Sequence, residues 1–138
     1  MKRQEFRRLA LIRLDDARAL LRARRYAGAY YLAGYAVECG LKACVAQTFK
    51  AATIPGKGEV DKIYTHNLPA LVRYAGLDTA LTAAIATDAD FQVNWTITLN
   101  WKEQTRYERE RSQAEAASLA AVIADPTHGL LRWIRQHW

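Results

Sequence analysis

The sequence predicts an all-α protein, a compact up-and-down bundle of about five helices folded as a single domain over residues 1–138. Three observations carry that expectation. Residues 26–50 are apolar nearly all round and contain no proline, as befits a helix in the middle of a bundle. Residues 4–24 repeat apolar side chains at helical spacing. The later helical stretches are separated by clear breakers at Pro55–Gly56, Gly76 and Asp125–Pro126.

Helix one is expected from about Gln4 to Arg24. Phe6, Leu9, Ala10, Leu14, Ala17, Leu20 and Leu21 form one stripe at 100° per residue, with Arg7, Arg18, Arg22 and Arg25 gathered on an adjacent flank. The join Arg24-Arg25-Tyr26 is short and lacks Gly or Pro, so a hairpin requires a tight reversal there. In the central helix, Gly28, Gly34 and Gly40 each cost helix propensity, which marks them as places where a neighbouring helix comes close. Its only formal charges before Lys50 are Glu38 and Lys42, four apart with the acid first, the favourable order for a helical ion pair. The pair reads either as a surface contact or as a buried salt bridge fixing helix register.

Residues 51–65 are expected to be loop, because Pro55, Gly56 and Gly58 cluster there. A third helix starts near Thr65–Pro69, capped by Thr65 or Asn67, and ends at Gly76. Asp78 restarts a small alanine-rich helix to about Ala89. Residues 91–101 carry conflicting signals. Phe91, Val93, Trp95, Ile97, Leu99 and Trp101 alternate with polar residues as in a strand. A lone strand has no ladder partner, so the expectation is a short helix or irregular segment whose Trp95 and Trp101 plug the bundle, unless it pairs with its copy in a second chain. A long helix then resumes from Arg106 to Ala124, burying Ala117, Ala120, Ala121 and Val122. Asp125–Pro126 stops it. Thr127 caps a last helix over 127–138 that carries Leu130, Leu131, Trp133, Ile134 and Trp138.

The net charge of +6 is unevenly placed. Residues 1–25 hold nine basic side chains against three acids, and the rest of the chain has eleven of each sign. All the excess therefore sits on the first helix, which suits a polyanion partner such as RNA or nucleotide phosphate; a solvated arginine face is the plainer reading of the same run. No uncharged apolar run reaches the roughly 18 residues of a membrane span. The start of the chain lacks the apolar core of a secretory signal, so a cytoplasmic location is expected. Cys39 and Cys44, five apart on one helix, point in different directions and are expected to be reduced core residues.

With the helices in place, a family resemblance comes into view. Ala36-Val37-Glu38 is followed one turn later by Leu41-Lys42-Ala43, and Thr65-His66-Asn67-Leu68-Pro69-Ala70-Leu71 follows the loop. Asn94-Trp95, Trp101 and Arg106-Tyr107 continue the order. Residues 10–110 thus resemble the HEPN domain, an all-helical bundle. The resemblance implies a homodimer in a toxin-antitoxin, defence or nucleotidyltransferase-associated system. It also implies that active members are metal-independent ribonucleases.

Active HEPN ribonucleases carry an arginine, usually followed by a polar residue, then a histidine after four to six intervening residues. The matching spacing here is Arg132-Trp133-Ile134-Arg135-Gln136-His137, with Trp in place of the polar residue. In that role Arg132 would hold the scissile phosphate and His137 would move protons. Arg106 with His66 is an alternative basic pair, His66 also reading as a helix-start residue bonding locally. Tyr30, Tyr31 and Tyr35 read as base-stacking, core or dimer residues. Three scattered histidines and two badly spaced cysteines predict no metal site, and no phosphate loop or nucleophile elbow is present, so no cofactor is expected. The leading expectation is a homodimeric RNA- or nucleotide-binding protein using Arg7, Arg18, Arg22, Arg25, His66 and Arg106, with Glu38 and Lys42 as the family's polar pair. The alternatives are a ribonuclease using Arg132 and His137, and a non-catalytic scaffold for a nucleotidyltransferase or antitoxin partner.

Overall fold

A computed structural model describes residues 1–49 and 54–138. Among these residues eight α-helices form an all-α bundle with no strand: α1 Arg3–Arg22, α2 Tyr26–Gln47, α3 Lys57–Tyr64, α4 Leu68–Tyr74, α5 Asp78–Thr87, α6 Ala89–Leu99, α7 Gln113–Ala124 and α8 Leu130–Arg135. A 3-10 turn, Glu103–Tyr107, lies between α6 and α7. The count exceeds five because the chain between α2 and α7 breaks into four short helices of 7 to 11 residues, α3 to α6. No described helix is long and apolar enough to cross a membrane.

Helix α2 is the axis, with fourteen buried residues and neighbours α1, α4, α7, α8 and the 3-10 turn around it. The glycine notches face those neighbours. A Cβ on Gly40 would stand 3.0 Å from Ile134 of α8, and one on Gly28 would stand 3.3 Å from Leu20 of α1. At Gly34 it would fall inside the Trp101 indole. Helix α1 buries Phe6, Ala10, Leu14 and Ala17 as its periodicity predicts. It reverses into α2 through Arg24, whose φ of 60° places it in the left-handed region. Arg24 N–H donates to Leu21 C=O and Arg25 N–H to Leu20 C=O, the pairing of a Schellman stop, with arginine where glycine is usual.

Residues 91–101 resolve in favour of tertiary context. Asp88 caps α6 by accepting from Phe91 N–H at 3.0 Å. Phe91, Asn94, Trp95 and Thr98 then face inward at helical spacing, while Val93, an apolar member of the alternating set, is 57% exposed. Trp95 and Trp101 are both buried, plugging the bundle as expected.

Four expectations need correction. Residues 57–64 of the expected loop are α3, started at Gly56, whose N–H donates to Glu59 at 3.2 Å; residues 51–53 lie outside the described residues. The helix expected from Arg106 begins only at Gln113, because Ser112 caps it and residues 103–107 take the tighter 3-10 turn. Its buried face is Ala116, Leu119, Ala120 and Ile123, so Ala117 and Ala121 stay exposed. The last helix spans Leu130–Arg135 rather than 127–138. Asp125 Oδ1 accepts from both Thr127 and His128 N–H, folding 125–129 into a turn and leaving Gly129 at the cap position.

Candidate functional site

The arginines of α1 fall into different settings. Arg7 is occupied: it donates to Gln4 Oε1 at 3.2 Å and to the Trp138 main-chain oxygen at 3.0 Å, and lies over the Trp138 ring. Arg18 is exposed on a groove of about 540 Å³ between α1 and α8, where Arg132 and Arg135 stand opposite it. Leu14, Ile123 and Leu131 form its floor, and Asp15 and Asp125 line it as well. Among the described residues none of the three arginines makes an ion pair within 4.0 Å. Arg22 is exposed. Arg25 lines a second groove with Arg24, Arg109 and Arg111 at the α1–α2 turn, but Arg111 is held by Glu108, Glu115 and the Tyr30 ring.

Arg132 and His137 have different surroundings. Arg132 opens onto the α1–α8 groove, whereas His137 lies past the end of α8 with its ring edge-on to Trp133 at 5.0 Å. Burial against that ring lowers the His137 pKa.

A second cluster forms on the other face of α2, where Tyr31, Tyr35, Glu38 and Lys42 follow one another at intervals of four, three and four. Glu38 is fully buried, and its Oε1 accepts from Lys42 Nζ at 2.8 Å and from His66 Nδ1 at 2.8 Å. Of the two readings left open for Glu38 and Lys42, the structure shows the buried salt bridge, and His66 completes it. Glu38 Oε2 is buried without a hydrogen-bond partner among the described residues. The Tyr31 and Tyr35 rings stack at 5.8 Å, and Tyr31 also stacks on Trp101 at 6.2 Å. Burial pushes the Tyr35 hydroxyl up to about 12.

His66 is half exposed and lines a groove of about 380 Å³ with Asn67, Lys102, Glu103 and Gln104. Arg106 pairs with Glu103 at 2.9 Å and donates to the Tyr107 hydroxyl at 2.6 Å, the latter being the main cause of its raised pKa. The structure therefore brings His66 and the 3-10 turn bearing Arg106 to opposite walls of one groove.

Cys39 and Cys44 are buried free thiols, pushed up to about 12 by burial. Among the described residues one trio of metal-type donors occurs, Asp88, Asp90 and His128. His128 Nδ1 sits 2.7 Å from Asp88, whose carboxylate already caps α6, so this contact ties the 125–129 turn to the start of α6. Sequence reasoning missed this pair, forty residues apart, and also Lys102; neither carries a local signal.

Comparisons of the chain with protein-family models, with curated proteins and with solved structures find no match.

Proposed function

We propose that the chain is an HEPN-like protein that binds RNA or nucleotide phosphate, acting in a prokaryotic toxin-antitoxin or defence module as a homodimer. The observation that carries the binding part is the α1–α8 groove, where Arg18, Arg132 and Arg135, from segments more than a hundred residues apart, meet without ion-pair partners among the described residues. Guanidinium groups present forked donors that match phosphate oxygens. Three of them on one groove also raise the local potential that attracts a polyanion. The leucines on the floor suit the sugar and base edges of a single strand better than a bare charge cluster would. For the homodimer the support is the resemblance together with Ile12, exposed on α1 outside the lining of this groove.

The test is fluorescence anisotropy with a labelled single-stranded RNA at low salt. Binding that weakens in Arg18→Ala with Arg132→Ala supports the reading, and RNA binding that ignores those substitutions removes it.

A second reading, a metal-independent ribonuclease, rests on Arg132 opening onto this groove with His137, whose pKa burial lowers, five residues on in the same segment. RNA cleavage in EDTA that disappears in His137→Ala would establish it. Tight association with a co-expressed nucleotidyltransferase or antitoxin, without RNA binding or cleavage, would instead identify a scaffold.

A further inference from the structure

We propose that the groove between His66 and Lys102 is a binding site for a phosphate monoester, with Glu38 as the positioning residue behind His66. The argument starts from Glu38, the one carboxylate in the core of α2. Burying an acid on an otherwise apolar helix is costly unless every lone pair is used. Here one oxygen accepts twice and the other has no partner among the described residues. A well-packed apolar residue would serve the core better, and buried polar groups held at such a cost concentrate where they orient something. What Glu38 orients is His66, whose ring is fixed at Nδ1 by the 2.8 Å contact while the side chain remains half exposed at the groove.

The charges around the groove set the sign of the ligand. Lys42 on α2 neutralises Glu38, and Arg106 on the 3-10 turn neutralises Glu103. Lys102, exposed on the opposite wall from His66, makes no ion pair among the described residues. The remaining formal charge is therefore positive, and Thr65, Asn67 and Gln104 around it are polar. An anion with several acceptor oxygens fits this lining.

Proton chemistry then selects the class of anion. With Nδ1 as donor in the 2.8 Å contact to the Glu38 carboxylate, Nε2 is the ring nitrogen left to meet a ligand. A phosphate monoester has a second ionisation near pH 6. Its monoanion can donate P–OH to Nε2, or its dianion can accept from the imidazolium; the proton count is the same in both, one proton shared between Nε2 and a phosphate oxygen. In either form Lys102 binds a second oxygen as a charge-assisted donor. A phosphodiester has no P–OH to donate to a neutral Nε2, so it gains the histidine contact only with the imidazolium and is bound more weakly. A free nucleotide and an RNA 5′ end carry this same group. The site is separate from the α1–α8 groove, so the two readings fail independently.

The experiment is calorimetric titration of the full chain with adenosine 5′-monophosphate, 3′,5′-cyclic adenosine monophosphate and a short RNA bearing either a 5′-phosphate or a 5′-hydroxyl. The monophosphate is expected to bind at least about tenfold tighter than the cyclic diester, and His66→Gln and Lys102→Ala each to weaken it about tenfold. Both side chains are exposed enough that the fold survives. A 5′-phosphate preference in the RNA arm supports the same site with an RNA end as the source. The role of Glu38 is read from imidazole nitrogen NMR. His66 should show the Nδ1–H form in the native chain and lose it in Glu38→Leu combined with Lys42→Met, which removes the acceptor and leaves no unpaired ammonium. Equal affinity for monoester and diester, or monoester binding that His66→Gln leaves unchanged, would overturn the proposal.

Discussion

Trp101 fills the space that a side chain at residue 34 would occupy. Its indole lies against the Gly34 backbone, and its Nε1–H donates to the Tyr31 carbonyl at 3.2 Å. In an exposed helix Gly→Ala stabilises by about 1 kcal/mol. Here overpacking outweighs that gain, so Gly34→Ala is expected to destabilise by about 1–3 kcal/mol in urea unfolding. In a Trp101→Ala background the same change should become stabilising. A stabilising Gly34→Ala in the native background would show that Trp101 does not sit there.

Arg24 pays the left-handed strain of the α1–α2 stop with a φ of 60°. Glycine adopts that conformation without the Cβ clash. Arg24→Gly should therefore raise stability by about 1 kcal/mol, measured by the urea midpoint at constant slope. Arg24→Val should lower it.

The buried pair of Glu38 and Lys42 predicts strong non-additivity. Removing Glu38 leaves Lys42 unpaired and removing Lys42 leaves Glu38 with His66 alone, each expected to cost about 3–5 kcal/mol. The double variant Glu38→Leu with Lys42→Met should recover most of that loss. A double variant as unstable as the sum of the singles would mean that the two side chains do not pair.

The contact of His128 with Asp88 makes stability depend on pH at both ends. A hydrogen bond to Asp88 is the largest cause raising the His128 pKa, so its contribution is complete below pH 6.5 and is lost as pH rises through the folded value. The reciprocal bond from His128 is the largest cause lowering the Asp88 pKa, so that contribution is complete above pH 3.8 and is lost as pH falls through the folded value. Asp88→Asn keeps a residue able to cap α6 but removes the charge. The excess thermal stability of the native chain over Asp88→Asn should peak between about pH 4 and 6.5 and shrink on either side. A difference that does not vary with pH would rule out the ionic contact.

The bundle was legible where periodicity and burial agree. The stripe of α1 and the apolar run of α2 each demand a helix, and Gly34 and Gly40 announced close approach before their neighbours were known. Boundaries set by side-chain caps were less legible. Ser112 and Asp125 decide where α7 starts and how the 125–129 turn forms, yet several nearby residues could have served as well. Residues 91–101 show why the alternating pattern misled: inward-facing Phe91 and Trp95 satisfy a helix and a strand alike, and only the packed core rejects Val93. At the candidate sites the sequence supplied Glu38, Lys42, His66, Arg18 and Arg132 individually. Their grouping was not readable, because Arg18 and Arg132 come to one groove only through the packing of α1 and α8 on α7, and His66 meets Lys102 across two loops.

The measurement closest to the central claim is the salt dependence of RNA affinity for the native chain and for Arg18→Ala, Arg132→Ala, Arg135→Ala combined. Each phosphate contact on a single strand contributes about 0.7 to the slope of log affinity against log salt. The account predicts native binding that weakens steeply with salt, and a triple variant that binds more weakly with a slope smaller by about 2. An unchanged slope, or no RNA binding by the native chain at low salt, would contradict it.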